Sequence, residues 1–187
     1  MPLHRLPPWT RRVPLCRPVS PMPFADDAAF EAPLAVALGA NQPSAMGGPR
    51  QTLAAVRPLL EEQLTAWADQ PLQFHWSALL TTDPVGPVDQ PRYLNGVLLV
   101  RTIAAEPSET SALQLLDRLH ELERRFGRDR EREQRWGPRT LDLDLLFWGE
   151  LRLDTPRVVL PHPRLHLRTF VLEPLLQAMQ GSHPPCW

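Results

Sequence analysis

Two aspartates stand one residue apart in the stretch Thr140-Leu141-Asp142-Leu143-Asp144-Leu145-Leu146-Phe147-Trp148. Leu141, Leu143, Leu145 and Phe147 share one parity, the period of a half-buried strand, so both carboxylates are expected on the same face. A hard divalent cation is commonly held by one or two carboxylates, with phosphate oxygens and waters completing its octahedron. Just upstream, Arg124, Arg125, Arg128, Arg130, Arg132, Arg135 and Arg139 stand against only Asp129, Glu131 and Glu133. Guanidinium forks stay charged and grip phosphate oxygens bidentately. Arginines running into paired aspartates therefore point to a metal and polyphosphate site, where positioning and charge neutralisation carry the chemistry. A plainer reading exists for each half: acids on an exposed strand face salt-bridged to Arg135 and Arg139, and a solvated charged loop.

Other residues could serve such a site. Tyr93 and Asn95 fall on one face at the start of the run 93–100, next to the proline-rich loop 82–91. An aromatic ring, an amide and a stiff loop suit a flat heterocycle, although an ordinary strand end with a satisfied Asn reads the same way. His162 lies between Pro161 and Pro163, with Arg168 six residues on; alone it is as compatible with a structural role as with a chemical one. His75 reads as a strand-surface histidine.

These residues need elements to hold them. Leu34-Ala35-Val36-Ala37-Leu38 reads as a central strand, and Gly39-Ala40-Asn41 as a turn where backbone can approach a ligand. Leu53, Val56, Leu60, Leu64 and Trp67 fall at helical spacing, giving a helix over about 49–67 that Pro58 should kink or delay. Residues 72–81 alternate as one strand, and 93–100 follow as another. A further helix runs from Ser108, a candidate cap, to Phe126, with Leu115, Leu119, Leu122 and Phe126 as its apolar face and Gly127 as its stop. The run 128–139 has no apolar period and reads as a mobile loop that could close over the site. Leu151-Arg152-Leu153 and Val158-Val159-Leu160 suggest a short hairpin. A final helix is expected over 165–179, with Leu167, Val171, Leu175 and Leu176 apolar and Pro174 as a possible kink. The order strand-helix-strand-strand-helix-strand suggests an α+β fold: a ferredoxin-like antiparallel sheet with helices on its faces, in α/β/α layers, plus a C-terminal hairpin and helix.

Composition narrows the class. Hydrophobic residues make up 43% of the 187 and charged residues 22%, as in a soluble globular domain. A formal net charge of −1 argues against a generally basic nucleic-acid binder. All 20 basic residues are arginine, so neither a Schiff-base lysine nor a phosphate-loop lysine exists. Cys16 and Cys186, one near each end, indicate neither a disulfide framework nor a zinc site. No apolar run reaches the ~18 residues of a membrane span, and the opening residues make a poor secretory signal; a cytoplasmic enzyme is expected. Residues 1–32 hold seven of the 23 prolines and read as a disordered or loosely docked arm. The domain proper is expected over 33–180, and 181–187 as a short tail.

Arg135-Trp136-Gly137-Pro138-Arg139-Thr140-Leu141-Asp142-Leu143-Asp144 closely resembles the signature of the 6-hydroxymethyl-7,8-dihydropterin pyrophosphokinase family. Pro161-His162-Pro163-Arg164 with Arg168 and Phe170, Gln90-Pro91-Arg92-Tyr93-Leu94-Asn95, and Leu38-Gly39-Ala40-Asn41 resemble further motifs of that family, in its order, over about residues 34–176. The resemblance implies transfer of pyrophosphate from ATP to the pterin hydroxymethyl group, with release of AMP. It implies two Mg²⁺ ions on Asp142 and Asp144, and assistance to transfer from Arg128, with Arg139 also catalytic. It implies ATP contacts at Glu123, Arg130, Arg135, Arg139, Leu145, Arg157, His162 and Arg168. For the pterin it implies Thr82, Pro84, Val85, Tyr93, Asn95, Trp136 and Phe170, with Trp136 and Phe170 stacking on the ring. Departures are Ala40 in place of a usual Ser, Pro163 where an aromatic is frequent, a loop one residue longer than in some relatives, and no loop lysine, whose role passes to Arg132 or lapses. The implied partners are these two small molecules, with no nucleic acid and no membrane, acting in a monomer. The bare residues also admit a sugar-nucleotide glycosyltransferase using Asp142 and Asp144, and an RNA-binding ferredoxin-like module with an arginine-rich loop.

Overall fold

Leu34–Ala40 forms β1, whose side chains are almost all buried, as befits a strand covered on both faces. The computed structural model describes residues 32–85, 89–132, 137–181 and 187. After β1 come α1 (Pro49–Ala68), β2 (Phe74–Trp76), β3 (Leu80–Thr82), β4 (Tyr93–Val100), α2 (Glu109–Arg125) and β5 (Asp142–Trp148). A two-stranded hairpin of β6 (Leu153–Asp154) and β7 (Val159–Leu160), a 3₁₀ turn at Leu165–Leu167, and α3 (Thr169–Gln180) complete the order. The main sheet is antiparallel, with the order β2-β4-β1-β5 and β3 also on β4.

The apolar periods sort the helices onto the sheet. Val36 and Leu38 pack with Leu53, Val56, Leu60 and Leu64 of α1 and with Leu115, Leu119 and Leu122 of α2. The alternate residues, Ala35, Val97, Leu99 and Leu146, pack with Val171, Leu175 and Ala178 of α3. Helix α2 begins where expected: the Ser108 side chain accepts from the Ser111 N–H at 3.3 Å. Pro49 occupies the first turn of α1, where its missing N–H costs nothing, and the helix continues through Pro58.

Four expectations need correction. The strand over 72–81 is two strands: Trp76 opposes Leu98 and Leu80 opposes Asn95, so residues 77–79 face only 96–97 and form a bulge. In β5, Val36 opposes Leu145 while Ala35 opposes Phe147, leaving Leu146 as an extra residue. The alternation therefore breaks there: Leu146 and Phe147 pack on the α3 side, and Trp148 returns to the α1 side, 4.9 Å edge-on from Trp67. The last helix starts at Thr169 instead of 165, after a separate 3₁₀ turn, which leaves Leu167 and Leu176 exposed. Finally, the loop expected over 128–139 is anchored at its first residue. Arg128 is 6% exposed, and its N–H bonds the Glu123 carbonyl at 3.0 Å.

Ala32 and Trp187, at the two limits of the described residues, also contribute to packing. Ala32 is buried in the α1–α2 core, and Trp187 packs against the same core; residues 1–31, including Cys16, and Cys186 lie outside the described residues. Leu119 is fully buried between α2 and the sheet. Leu119→Ala should cost about 2–5 kcal/mol of unfolding free energy in urea titration; a loss under about 1 kcal/mol would show that the site collapses around the gap.

Candidate active site

Asp142 and Asp144 stand on the same face of β5, as the alternation requires, opposite the small residues Gly39 and Ala37 of β1. With no bulky side chain beneath them, both carboxylates open into a cleft of about 230 Å³. Arg139, Arg168 and the two aspartates form its polar end; Thr82, Val85, Tyr93, Asn95 and Phe170 line its other side.

Arginines saturate Asp142. Arg128 Nη1 donates to its Oδ1, and Arg139 Nη1 donates to its Oδ2 at 2.8 Å. Burial alone would raise this carboxyl's pKa, but the two guanidinium charges outweigh burial and hold it below the usual carboxylate range. Asp144 is differently placed. Among the described residues its basic neighbours are Arg168 Nη1 at 3.5 Å and His162 Nε2 at 3.9 Å, the histidine a cation only when protonated. Burial, then repulsion from Asp142, push Asp144 up to about 6.

Behind the pair sits Glu123 of α2, fully buried. Its carboxylate accepts from Arg128 Nη1 at 2.6 Å, from Arg130 Nε and Nη2 at 2.7 and 2.8 Å, and from the Leu143 N–H at 2.8 Å. One carboxylate thus holds two loop arginines and the strand between the two aspartates. Arg139 is fixed through its backbone: its N–H donates to Asn41 Oδ1 at 2.8 Å, and its carbonyl accepts the N–H groups of Asn41 and Gln42 at 3.1 Å each. Asn41 in turn donates its amide hydrogens to Gln90 Oε1 and the Pro91 carbonyl, both at 3.0 Å.

On the other side, Asn95 Nδ2 donates to Thr82 Oγ1 at 2.8 Å, and Tyr93 donates its hydroxyl to the Gly137 carbonyl at 3.0 Å. Gly39 lies inside β1 instead of in a turn. A Cβ there would meet Asn95 Oδ1 at 3.1 Å, so glycine makes room for that amide. Arg168 caps α3 and lies 5.6 Å from the centre of the Phe170 ring. His162 is held by its N–H to the carbonyl of the bulged Leu146 at 2.7 Å, and its Nδ1 accepts from the Arg164 N–H at 3.2 Å. Burial, then Arg168 and Arg164, lower its pKa.

Several expected residues lie elsewhere. Leu145 points into the α1–α2 core, so only its backbone could meet a ligand. Glu123 is closed off from the cleft by its arginines. Arg157 pairs with Asp117 of α2 at the surface. Pro84, Arg130 and His162 flank the cleft without lining it. Arg135 and Trp136 lie outside the described residues. Asn41 went unrecognised as the bracket of Arg139, since a lone Asn after a strand carries no signal of its own. Arg164, quoted above only as part of a motif, and Leu167, expected on the apolar face of the last helix, also line the cleft.

Asp142 and Asp144 are the residues that could hold a divalent cation. The two carboxylates share one face, and among the described residues Asp144 has only Arg168 as a close positive partner, a deficit of positive charge that a metal ion would relieve.

A sequence model of the family described as 7,8-dihydro-6-hydroxymethylpterin-pyrophosphokinase (HPPK) matches residues 35–180. The chain belongs to that family. The 2-amino-4-hydroxy-6-hydroxymethyldihydropteridine pyrophosphokinase of Pseudomonas aeruginosa is 41% identical over 156 residues, covering 80% of this chain and 86% of the relative. The Haemophilus influenzae protein of the same name is 43% identical over 101 residues, 54% of this chain and 58% of its own. A folate synthesis bifunctional protein of Arabidopsis thaliana is 40% identical over 103 residues, 55% of this chain and 20% of its own. The residues that line this cleft, from Ala37 to Val171, fall within the segment matched to the pyrophosphokinase family.

Asp144 gives a pH test. Its folded pKa, about 6, lies above its ordinary 3.8, so its contribution to stability is present below 3.8 and is lost as pH rises through about 6. In metal-free buffer, Asp144→Asn should raise Tm more at about pH 7.5 than at about pH 4.5. An equal change at both pH values would contradict the raised pKa.

Proposed function

We propose that this chain transfers pyrophosphate from ATP to the hydroxymethyl group of 6-hydroxymethyl-7,8-dihydropterin and releases AMP, as a step of folate biosynthesis. One observation carries the reading. In a chain of this family, a single cleft sets an aspartate pair with arginines against a wall of Tyr93, Asn95, Thr82 and Phe170. Such a cleft can hold a polyphosphate at one end and a flat, hydrogen-bonding heterocycle at the other.

The hydroxymethyl oxygen attacks the β-phosphorus of ATP. A new P–O bond forms, the bond from β-phosphorus to the α-bridging oxygen breaks, AMP leaves with the electron pair, and the hydroxyl proton is released. Two Mg²⁺ ions, held by Asp142 and Asp144, would neutralise phosphate charge and align the groups. Arg139, Arg168, Arg130, Arg135 and His162 are assigned to the phosphates and nucleotide, and Arg128 to the transferring group. Arg157 is assigned to the nucleotide on the resemblance alone. Glu123 is assigned to holding Arg128 and Arg130 at the right height. Thr82, Pro84, Val85, Tyr93, Asn95, Trp136 and Phe170 are assigned to the pterin. Most of the barrier lowering in such a reaction is positioning and electrostatic stabilisation, which a rigidly bracketed arginine supplies without reorganisation.

The strand order supports reading the sheet as ferredoxin-like, with β2 and β3 together as one edge and helices on both faces. Among the described residues no helix is long and apolar enough to cross a membrane. We infer a cytoplasmic monomer acting on these two small molecules. The RNA-binding alternative gains no support, because Arg128 and Arg139 pair with Glu123 and Asp142 instead of presenting an open basic face.

With ATP, Mg²⁺ and the hydroxymethyl-dihydropterin, purified protein should form AMP and no ADP. Asp142→Ala and Asp144→Ala should each lower kcat by about 10³-fold or more, and chelation of Mg²⁺ should stop turnover. ADP formation, or a near-normal rate in either variant, would refute the assignment.

A further inference from the structure

The bulge between β2 and β3 decides which face Thr82 occupies. With the extra residue, Thr82 opposes Tyr93 and turns toward Asn95 in the cleft. In the register of β2, Thr81 would oppose Tyr93 and Thr82 would face the other side of the sheet. A bulge frees backbone groups from the ladder, and buried ones must be satisfied elsewhere. Here the partners can be followed one by one. The Ser77 N–H donates to the Val97 carbonyl at 3.0 Å, while Ser77 Oγ accepts the Val97 N–H at 2.9 Å and donates to the Ala78 carbonyl at 2.8 Å. Ala78 N–H donates to Gln177 Oε1 of α3 at 3.2 Å. The Ser77 carbonyl accepts from Trp187 Nε1 at 2.9 Å.

Trp187 is built into place. Its ring meets Trp76 edge-on at 4.7 Å, and the Arg57 guanidinium lies 5.0 and 5.5 Å from the two ring centres. It also fills the space beside Gly96, where a Cβ would come within 3.2 Å of it. Gly96 adjoins Asn95 on β4, so the indole braces the sheet on the face opposite the cleft. Trp187 lies beyond the segment matched by the family, residues 35–180, so the match assigns it nothing.

We propose that Trp187 is a positioning residue for the heterocycle: its indole N–H holds the Ser77 carbonyl, keeps the bulge in register and so keeps Thr82 aimed at Asn95. Gln177 performs the same service for Ala78 from the opposite face. This rests on reading the Thr82–Asn95 side of the cleft as the pterin site.

Trp187→Phe keeps an aromatic ring in the core but removes the N–H together with part of the indole's bulk, and the split between the two KM values separates the lost hydrogen bond from the lost packing. Steady-state kinetics should show the pterin KM raised about fivefold, the worth of roughly one hydrogen bond, with kcat and the ATP KM within about twofold of wild type. Amide exchange at Ser77 and Val97 should quicken in the same variant. Gln177→Leu should raise the pterin KM in the same direction. Faster exchange with an unchanged pterin KM overturns the positioning role and leaves the pocket assignment standing. Equal rises in both KM values also overturn it, since they indicate general loosening. Wild-type protein that fails to bind the pterin at all overturns the pocket assignment, and the positioning role with it, while exchange at Val97 still reports the clamp.

Discussion

Charge balance around Asp142 organises the rest of the site. Two buried or half-buried carboxylates and three arginines meet where β5 leaves the loop, and an isolated ion here would cost several kcal/mol in desolvation. Glu123 makes the arrangement tolerable by giving Arg128 and Arg130 a shared partner and by capping the Leu143 N–H. That carboxylate therefore couples the end of α2 to the strand that presents the aspartates. The loop between them has little freedom at Arg128, and the charged end of the cleft is held by partners within the chain itself. Pre-set charges of this kind stabilise developing charge without a reorganisation cost.

The same economy operates in the backbone. Asn41 holds Arg139 by both its N–H and its carbonyl and reaches across to Gln90 and Pro91. Three segments far apart in the chain thus meet at one amide. Small residues then create the space: Ala37 and Gly39 leave room above β1 for carboxylates and for the Asn95 side chain. Bulk is absent on the face of β1 that lines the cleft and present on the opposite face, where Leu34, Val36 and Leu38 fill the core.

Much of this was legible beforehand because it follows from short periods. The alternation through Leu141, Asp142, Leu143 and Asp144 set the aspartates on one face, and the Ser108 cap and the leucine stripe placed α2. The two bulges left no mark, since one extra residue in a strand changes neither composition nor hydrophobicity. They misled the reading of Phe147 and of 72–81. Arg128 looked like part of a solvated charge run because burial of an arginine depends on distant partners, here Glu123 and Asp142. Glu123 itself sits at a position where an amphipathic helix would ordinarily show a polar face to water. Leu167 and Leu176 kept the helical period yet ended outside, because α3 starts at Thr169 and presents Val171, Leu175 and Ala178 to the sheet.

The extra residue at Leu146 has a consequence for how this strand can change over generations. Upstream of it, the carboxylates point to the cleft; downstream, Trp148 must point the opposite way to reach Trp67. An unbroken pleat through 142–148 would put Asp142, Asp144 and Trp148 on one face. The bulge works as a phase shifter between a chemical half and an anchoring half of one β-strand. Loss of the extra residue alone would keep both halves in phase, with Leu145, Phe147 and Trp148 still opposite Val36, Ala35 and Leu34. It would, however, take Leu146 out of the α3 core and remove the carbonyl that holds the His162 N–H. A one-residue shortening at the bulge would therefore be felt at His162 and at α3 before it was felt at the aspartates.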